Sequence, residues 1–433
     1  MTTGEMQEIS EAPNRVERAF LVGINDPREN GGEPVAHLLD ELEELLRTLS
    51  IGTVGRIEVA LGQARPRYLV GSGKAREIVE AARQVEADVI VFDDALSPAQ
   101  QRNWEKLADL TVVDRQEIIL DIFAERASTK EAELQISLAR ATYELPRLKR
   151  RWTHLSRQRG MSGGMGLRGE GEQQIEVDAR LVQQRIAQLH RQLEEVRRKR
   201  RVQRKRRLRR PIPNCAIVGY TNAGKSSLLN ALTGAEVFIE DKLFATLDPT
   251  TRRLRLPNQQ ELLVSDTVGF IRKLPHLLVE AFKATLEEAM VADFIVEVID
   301  ITSPDLDEHH RTTLEVLQEL ESGEKRMVTV FNKVDLLDAP HLIPRLRRRF
   351  DRPVFVSAVS GRGIEELKQR LAEELSEELI SLKLRIPHDR YEIMALLHRT
   401  SEIKSQKATE HGLEVEVAVP YDLAPQLTEF RRK

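Results

Sequence analysis

One short stretch constrains this fold more than any other. The apolar run Cys215-Ala216-Ile217-Val218 leads into Gly219-Tyr220-Thr221-Asn222-Ala223-Gly224-Lys225-Ser226, and Ser227-Leu228-Leu229 then opens a helix. A buried strand, a glycine-bounded loop and a helix start, in that order, are the context in which a phosphate-binding loop forms. Its glycines let successive backbone N–H groups point inward around phosphate oxygens, and the helix N-terminus adds partial positive charge. On this reading Lys225 reaches the β- and γ-phosphates and the Ser226 hydroxyl holds Mg²⁺. The motif specifies a nucleoside triphosphate but not its base.

Three further motifs follow in order, each at the end of a strand-like run. Glu261 to Ser265 leads into Asp266-Thr267-Val268-Gly269. A carboxylate at a strand end beside Ser226 suits a water-mediated Mg²⁺ contact, and Gly269 suits an amide facing the γ-phosphate. Met327 to Phe331 leads into Asn332-Lys333-Val334-Asp335. The Asp335 carboxylate can accept from both N1–H and the 2-amino group of guanine, which adenine does not supply. Leaving that carboxylate unpaired against the wrong base supports discrimination of roughly 10⁴-fold or more. Lys333 would cover the base plane and Asn332 would tie its loop to the phosphate loop. Val354-Phe355-Val356 leads into Ser357-Ala358-Val359, where a backbone amide can meet guanine O6.

The segment between Ser226 and Asp266 should carry the switch threonine. Phe244-Ala245-Thr246-Leu247-Asp248 fits, with Thr246 preferred over Thr250 as the Mg²⁺ ligand. Lys225, Thr246 and Gly269 are then the catalytic group. The ordered set describes a Ras-like GTPase domain, a mostly parallel sheet with its ligand at the strands' carboxyl ends. Phe270 follows Gly269 where Ras-type proteins carry the glutamine that orients the attacking water, so intrinsic hydrolysis should be slow and completed by a partner. Asn222 has two readings: an amide oxygen holding K⁺ against the phosphates, or an asparagine that stabilises the loop.

The 433 residues leave room for several domains. From Val16 to Phe123 strand-like runs (residues 19–24, 89–92 and 111–113) alternate with helical patterns, indicating a small α/β domain. Gly71-Ser72-Gly73-Lys74 lacks the spacing of Gly219 to Lys225 and reads as a turn into a helix. Arg115 to Tyr143 is helical throughout, with Pro146 expected to end it. A glycine cluster, Gly160 to Gly171, separates it from a second helical stretch, Gln173 to about Arg207. This suggests an antiparallel hairpin. Its second arm carries Arg197-Arg198-Lys199-Arg200-Arg201 and ends near Arg210. Further cations, Arg147, Lys149, Arg150, Arg151, Arg157, Arg159 and Arg168, lie toward the loop. Such a run is either a solvated linker or a phosphate-backbone contact. Tyr143, Trp152 and His154 could stack on bases or pack the hairpin.

The expected domains are a tail at 1–15, an α/β subdomain at 16–123, the hairpin at 124–210, the GTPase domain at 211–378 and a small α+β domain at 379–433. In the last, Tyr391 to Arg399 reads as a helix and Leu413 to Val419 as a strand. Cys215, the single cysteine, excludes an internal disulfide and a cysteine-based zinc site. A net charge of -3 gives no global field for nucleic acid. Neither an apolar leader nor a membrane span is visible, so a cytoplasmic protein without membrane insertion is expected; a monomer is expected as well.

The chain resembles the HflX family of translational GTPases over nearly its whole length. The resemblance rests on Gly219 to Ser226, on Phe-Ala-Thr-Leu-Asp-Pro-Thr-Thr-Arg from Phe244, on Asp-Thr-Val-Gly-Phe-Ile from Asp266, and on the glycine-rich loop Gly164 to Glu172. In that loop Glu170 stands where the family usually has proline. The resemblance implies a factor that binds the large ribosomal subunit and its RNA with GTP bound, and separates stalled ribosomes under stress. The alternatives are a GTP-regulated RNA-binding factor in large-subunit assembly, and an enzyme with an ATP site in the N-terminal domain.

Overall fold

The structure, a computed structural model, describes residues 17–25, 34–61, 64–151, 170–207, 212–234, 243–244, 249–272, 288–320, 322–323, 325–339, 341–376, 379–409, 412–420 and 423–431. The chain divides into two compact units, Met1–Glu125 with Arg140–Ile186 and Arg126–Ala139 with Ala187–Lys433.

The first unit contains β1 (Arg18–Asn25), α1 (Val35–Thr48), β2 (Gly52–Ala60), α2 (Ser72–Gln84), β3 (Val89–Phe92), α3 (Pro98–Ala108), β4 (Thr111–Asp114) and most of α4 (Arg115–Arg126). Its strands pair in parallel in the order β2-β1-β3-β4, as the alternation of strand and helix predicts. The apolar pattern hides β2, because Gly52, Gly55, Arg56 and Glu58 interrupt it. It forms nevertheless, by pairing with β1 from Arg18↔Gly52 to Asn25↔Ala60. Helix α3 begins at a capping box of Ser97 and Gln100 with Pro98 in its first turn. Its Trp104 is fully buried, with the indole N–H donating to Tyr68 O at 3.1 Å. Gly71 precedes α2, and a Cβ at Gly71 or Gly73 would meet nothing within 4 Å. The turn-and-helix reading of that fragment therefore stands.

The long helical pattern after Arg115 is two helices, α4 and α5 (Lys130–Arg151). Thr129 makes the break, its hydroxyl capping the Ala132 N–H at 3.2 Å. Pro146 does not end α5. The helix survives because Arg147, next in the chain, is held from several sides. Its guanidinium donates to Tyr143 O (3.1 Å), Leu96 O (3.0 Å) and the side chains of Gln101 (2.8 Å) and Asp114 (3.3 Å). Tyr143 is buried beneath it and donates to Asp114 at 2.9 Å. Both residues are therefore packing groups, which corrects the placement of Arg147 among the hairpin's RNA-facing charges and selects the packing reading for Tyr143.

In the second unit, Leu134 of α5 joins Leu189 and Leu193 of α6 (Glu170–Arg207) in a small apolar cluster, as arms of a hairpin would. The glycine-rich tip, with Trp152, His154, Arg157, Arg159 and Arg168, lies outside the described residues. The larger sheet comprises β5 (Asn214–Val218), β6 (Thr250–Arg255), β7 (Glu261–Asp266), β8 (Phe294–Asp300), β9 (Met327–Asn332) and β10 (Val354–Phe355), in the order β10-β9-β8-β5-β7-β6. All its pairings are parallel except β6 with β7. Helices α7 (Lys225–Thr233), α8 (Leu306–Glu319), α9 (Leu342–Arg349) and α10 (Ile364–Ser376) flank it. Cys215, Ile217, Val264, Phe294, Val296 and Leu367 are each nearly inaccessible, and burying side chains of this size contributes about 1.5–3 kcal/mol apiece. The Cys215 thiol's pKa is pushed up by this burial, consistent with a small hydrophobe.

A three-stranded antiparallel sheet follows, ordered β11 (Leu379–Ile386), β13 (Gly412–Pro420), β12 (Glu402–Thr409), with α11 (Tyr391–Thr400). The alternation of Leu413 to Val419 is the middle strand β13. The turn between β6 and β7 meets the end of α11, where buried Gln260 donates to Thr400 O at 3.3 Å. Among the described residues no helix is long and apolar enough to cross a membrane.

Candidate nucleotide-binding site

The strand β5 ends at Val218 and α7 begins at Lys225, so Gly219 to Gly224 forms the connecting loop. Gly224 caps α7 with φ +90°, and a Cβ there would fall 2.2 Å from Asn332 Nδ2. That nitrogen donates to Ala223 O at 2.9 Å, while Asn332 Oδ1 accepts from Ala358 N at 3.0 Å. One buried amide therefore pins together three motifs that lie far apart in sequence. Glycine is required at 224 because Asn332 occupies the space a side chain would need.

Lys225 is buried, and its ammonium donates to Tyr220 O at 2.7 Å. Burial lowers its pKa to about 8, opposed by Asp266 and reinforced by nearby Lys333. Gly269 passes close above it, since a Cβ there would lie 2.9 Å from both Lys225 Nζ and Thr221 Cα. The Ser226 hydroxyl donates to Asp266 Oδ2 at 2.6 Å. A hydroxyl and a carboxylate side by side at a helix N-terminus form a hard, all-oxygen donor pair, which suits Mg²⁺ rather than a softer ion. No cluster of three or more His, Cys, Asp or Glu able to hold a metal occurs among the described residues.

Thr267 donates to Ile217 O at 2.7 Å, anchoring the strand end, and Val268 is buried. The Phe270 ring is fully buried, its N–H donates to Gly219 O at 3.0 Å and its carbonyl accepts from Thr221 N at 2.7 Å. Phe270 thus clamps the segment to the phosphate loop by backbone bonds and presents nothing to an attacking water. Asn222 is exposed, with φ 59°.

Lys333 also has positive φ, 65°, and its ammonium pairs with Asp300 at 2.7 Å. Val334 is buried, and Asp335 is exposed in the short 3₁₀ turn Val334–Leu336. Among the three amides at Ser357-Ala358-Val359, that of Ser357 donates to Arg362 O and that of Ala358 to Asn332. The Val359 N–H has no hydrogen-bond partner among the described residues, and Val359 is 88% exposed. Phe244 is buried with φ 56°. Ala245, Thr246, Leu247 and Asp248 lie outside the described residues.

The motifs do not announce two contacts. Tyr220 stacks on His309 of α8 with ring centroids 3.7 Å apart, and its hydroxyl accepts from Arg272 N at 2.9 Å. Burial lowers the His309 pKa to about 4, against the opposing pull of Asp305. The second is Asp300, at the end of β8, which holds Lys333 and accepts from Thr302. A tyrosine inside the phosphate loop and an aspartate ending the run 294–299, apolar except for Glu297, are the only sequence signals of either contact.

Comparison with known proteins matches four successive segments of the chain. Family patterns described as "GTP-binding GTPase N-terminal", "GTP-binding GTPase Middle Region", "50S ribosome-binding GTPase" and "HflX C-terminal domain" match residues 36–124, 126–207, 214–333 and 345–429. A "GTPase HflX" of Akkermansia muciniphila is 46% identical over 98% of this chain and 99% of its own. Those of Lacrimispora saccharolytica and Escherichia coli K12 are each 42% identical, covering 98% and 88% of this chain and 98% and 90% of their own. The solved structure of SsGBP with GDP is 25% identical, covers 83% of this chain and 98% of that one, and has a TM-score of 0.45.

Proposed function

This chain belongs to the HflX family of GTPases and is a GTP hydrolase; on that premise we propose that it binds the large ribosomal subunit in its GTP form and dissociates or rescues stalled ribosomes. The observation that carries the switch part of this reading is the Asn332 junction. It couples the phosphate loop to both base-facing loops, so guanine recognition and phosphate binding are one event.

The N–H groups of Gly219 to Gly224 enclose the phosphates, and Lys225 turns from Tyr220 O to the β- and γ-phosphates. Ser226, Thr246 and Asp266 would hold Mg²⁺, which would neutralise charge developing on the transferred phosphoryl group. The Gly269 amide meets the γ-phosphate. Asp335 accepts from the guanine edge, Lys333 covers the ring, and the Val359 amide meets O6. Loss of the γ-phosphate releases the Thr246 and Gly269 segments, and with them the ribosome-bound state. Because Phe270 is buried, the group that orients water comes from a partner, and the free protein hydrolyses GTP slowly.

In this reading the amide oxygen of Asn222, an exposed residue of the loop, would hold K⁺ beside the phosphates; the alternative is an asparagine that stabilises the loop. Equal turnover in potassium and sodium buffers would remove that assignment. The basic hairpin, residues 124–210, contacts ribosomal RNA, and the protein acts in the cytoplasm as a monomer.

Sedimentation of intact ribosomes with the protein and a non-hydrolysable GTP analogue tests the function. Conversion of monosomes to subunits is expected. Unchanged monosomes despite binding to free large subunits would favour an assembly role instead.

A further inference from the structure

Helix α9 joins the two base-facing loops, running between the 3₁₀ turn at Asp335 and β10. One side of it is core: Leu346 is buried, and Leu342, Ile343 and Phe350 pack with it against Phe331 and Phe355. The rest is arginine. Arg345, Arg347, Arg348 and Arg349 are all exposed, as is Arg352 just beyond the helix. Arg345, Arg348 and Arg349 follow i, i+3, i+4 spacing, which sets them along one stripe of the helix surface.

Counter-charge on this surface is sparse. Asp307 pairs with Arg349, and Asp351 approaches Arg352 at 3.8 Å. Arg345, Arg347 and Arg348 have no acidic partner within 4 Å among the described residues. Two of the guanidinium groups are also braced: Arg347 lies 5.4 Å from the Phe355 ring centroid and Arg349 5.3 Å from that of Phe350. Bracing over a ring lowers the entropy lost when the charge meets a ligand. A solvated helix in a chain of net charge -3 has no need of five like charges in eight residues, and the self-repulsion opposes folding. Arginine instead of lysine also matters, because its planar fork engages phosphate oxygens with two bonds.

We propose that the arginine face of α9 is a second ribosomal-RNA contact, separate from the hairpin, that grips the phosphate backbone of the large subunit. This deepens the ribosome-binding reading and rests on it. Because α9 leads directly from Asp335 to β10, RNA held there lies one helix away from both base-facing loops.

The test is a variant with Arg345→Gln, Arg347→Gln and Arg348→Gln, measured for binding to purified large subunits and to protein-stripped large-subunit RNA with a GTP analogue present. Binding to both should weaken by about tenfold or more near physiological salt, and the log–log salt dependence should become shallower by about 2. Nucleotide affinity and melting temperature of the free protein should stay as in wild type. The matching triple Lys variant should keep the salt slope, because it keeps the charge. Unchanged affinity and slope, with wild type binding normally, would overturn the surface alone. Weaker binding to subunits with unchanged binding to stripped RNA would assign α9 to an acidic ribosomal protein and also overturn it. Failure of wild type to bind subunits would remove the ribosome reading itself, and this surface with it.

Discussion

Lys225 is buried before any phosphate arrives, and its pKa is lowered to about 8 by that burial. A polyphosphate beside it favours the charged form, so binding raises this pKa and takes up a proton. Below about pH 8 the lysine is charged in both states and affinity is flat; above it the free protein must first be protonated. GTP affinity measured by calorimetry should therefore fall above pH 8, by up to about tenfold per pH unit. A flat profile to pH 9.5 would contradict this role. Asp300 sets a second expectation. With Asp300→Asn the ion pair to Lys333 is removed, and release of a fluorescent GDP should accelerate by about tenfold, the effect of one charge-assisted hydrogen bond of about 1.5 kcal/mol. An unchanged off-rate would show that Asp300 does not position the lysine. The site's lysine, serine, aspartates and asparagine were legible because each motif needs a fixed residue type at a fixed strand end. Asp300 was not, because a single aspartate ending a strand has many uses.

Among the elements, the Tyr220–His309 stack joins the phosphate loop to α8. His309 is held neutral, with its pKa lowered from 6.5 to about 4 by burial. The unfolded chain binds the extra proton between those values, so the stability this group provides is complete above pH 6.5 and declines as pH falls toward 4. The decline should be about 2–3 kcal/mol. His309→Phe, which keeps a ring and cannot be protonated, should flatten that part of the stability–pH curve in chemical denaturation. A curve identical to wild type would place the pH dependence elsewhere. At this scale the sequence shows α3 plainly, through Ser97 and Pro98, and the buried strands through their apolar runs. It does not show β2, whose glycines and charges are tolerated because β1 supplies its hydrogen bonds. Nor does it show α5 continuing past Pro146, which the tertiary bonds of Arg147 permit. Local pattern fails in both places because distant residues decide.

For the whole molecule, the order of segments was legible because each has its own periodicity. The internal commitment of Arg147 and Tyr143 was not, since charge and aromaticity look alike on a linker, an RNA arm or a core. The basic run in α6 is tested by neutralising Arg197, Arg198, Lys199, Arg200 and Arg201. Large-subunit binding should weaken and its salt slope become shallower, by up to about 0.9 for each RNA phosphate no longer neutralised, while GTP affinity of the free protein is retained. Unchanged ribosome binding would leave the run a linker. On this mechanism guanine held at Asp335 governs the ribosome-engaged state. Asp335→Asn should transfer recognition from guanine to xanthine, whose 2-oxo group accepts from the new amide. The decisive measurement is sedimentation of intact ribosomes with Asp335→Asn, given a non-hydrolysable analogue of either XTP or GTP. This mechanism has subunits appearing with the xanthine analogue and not with the guanine analogue. Dissociation with the guanine analogue, or without any nucleotide, would contradict it.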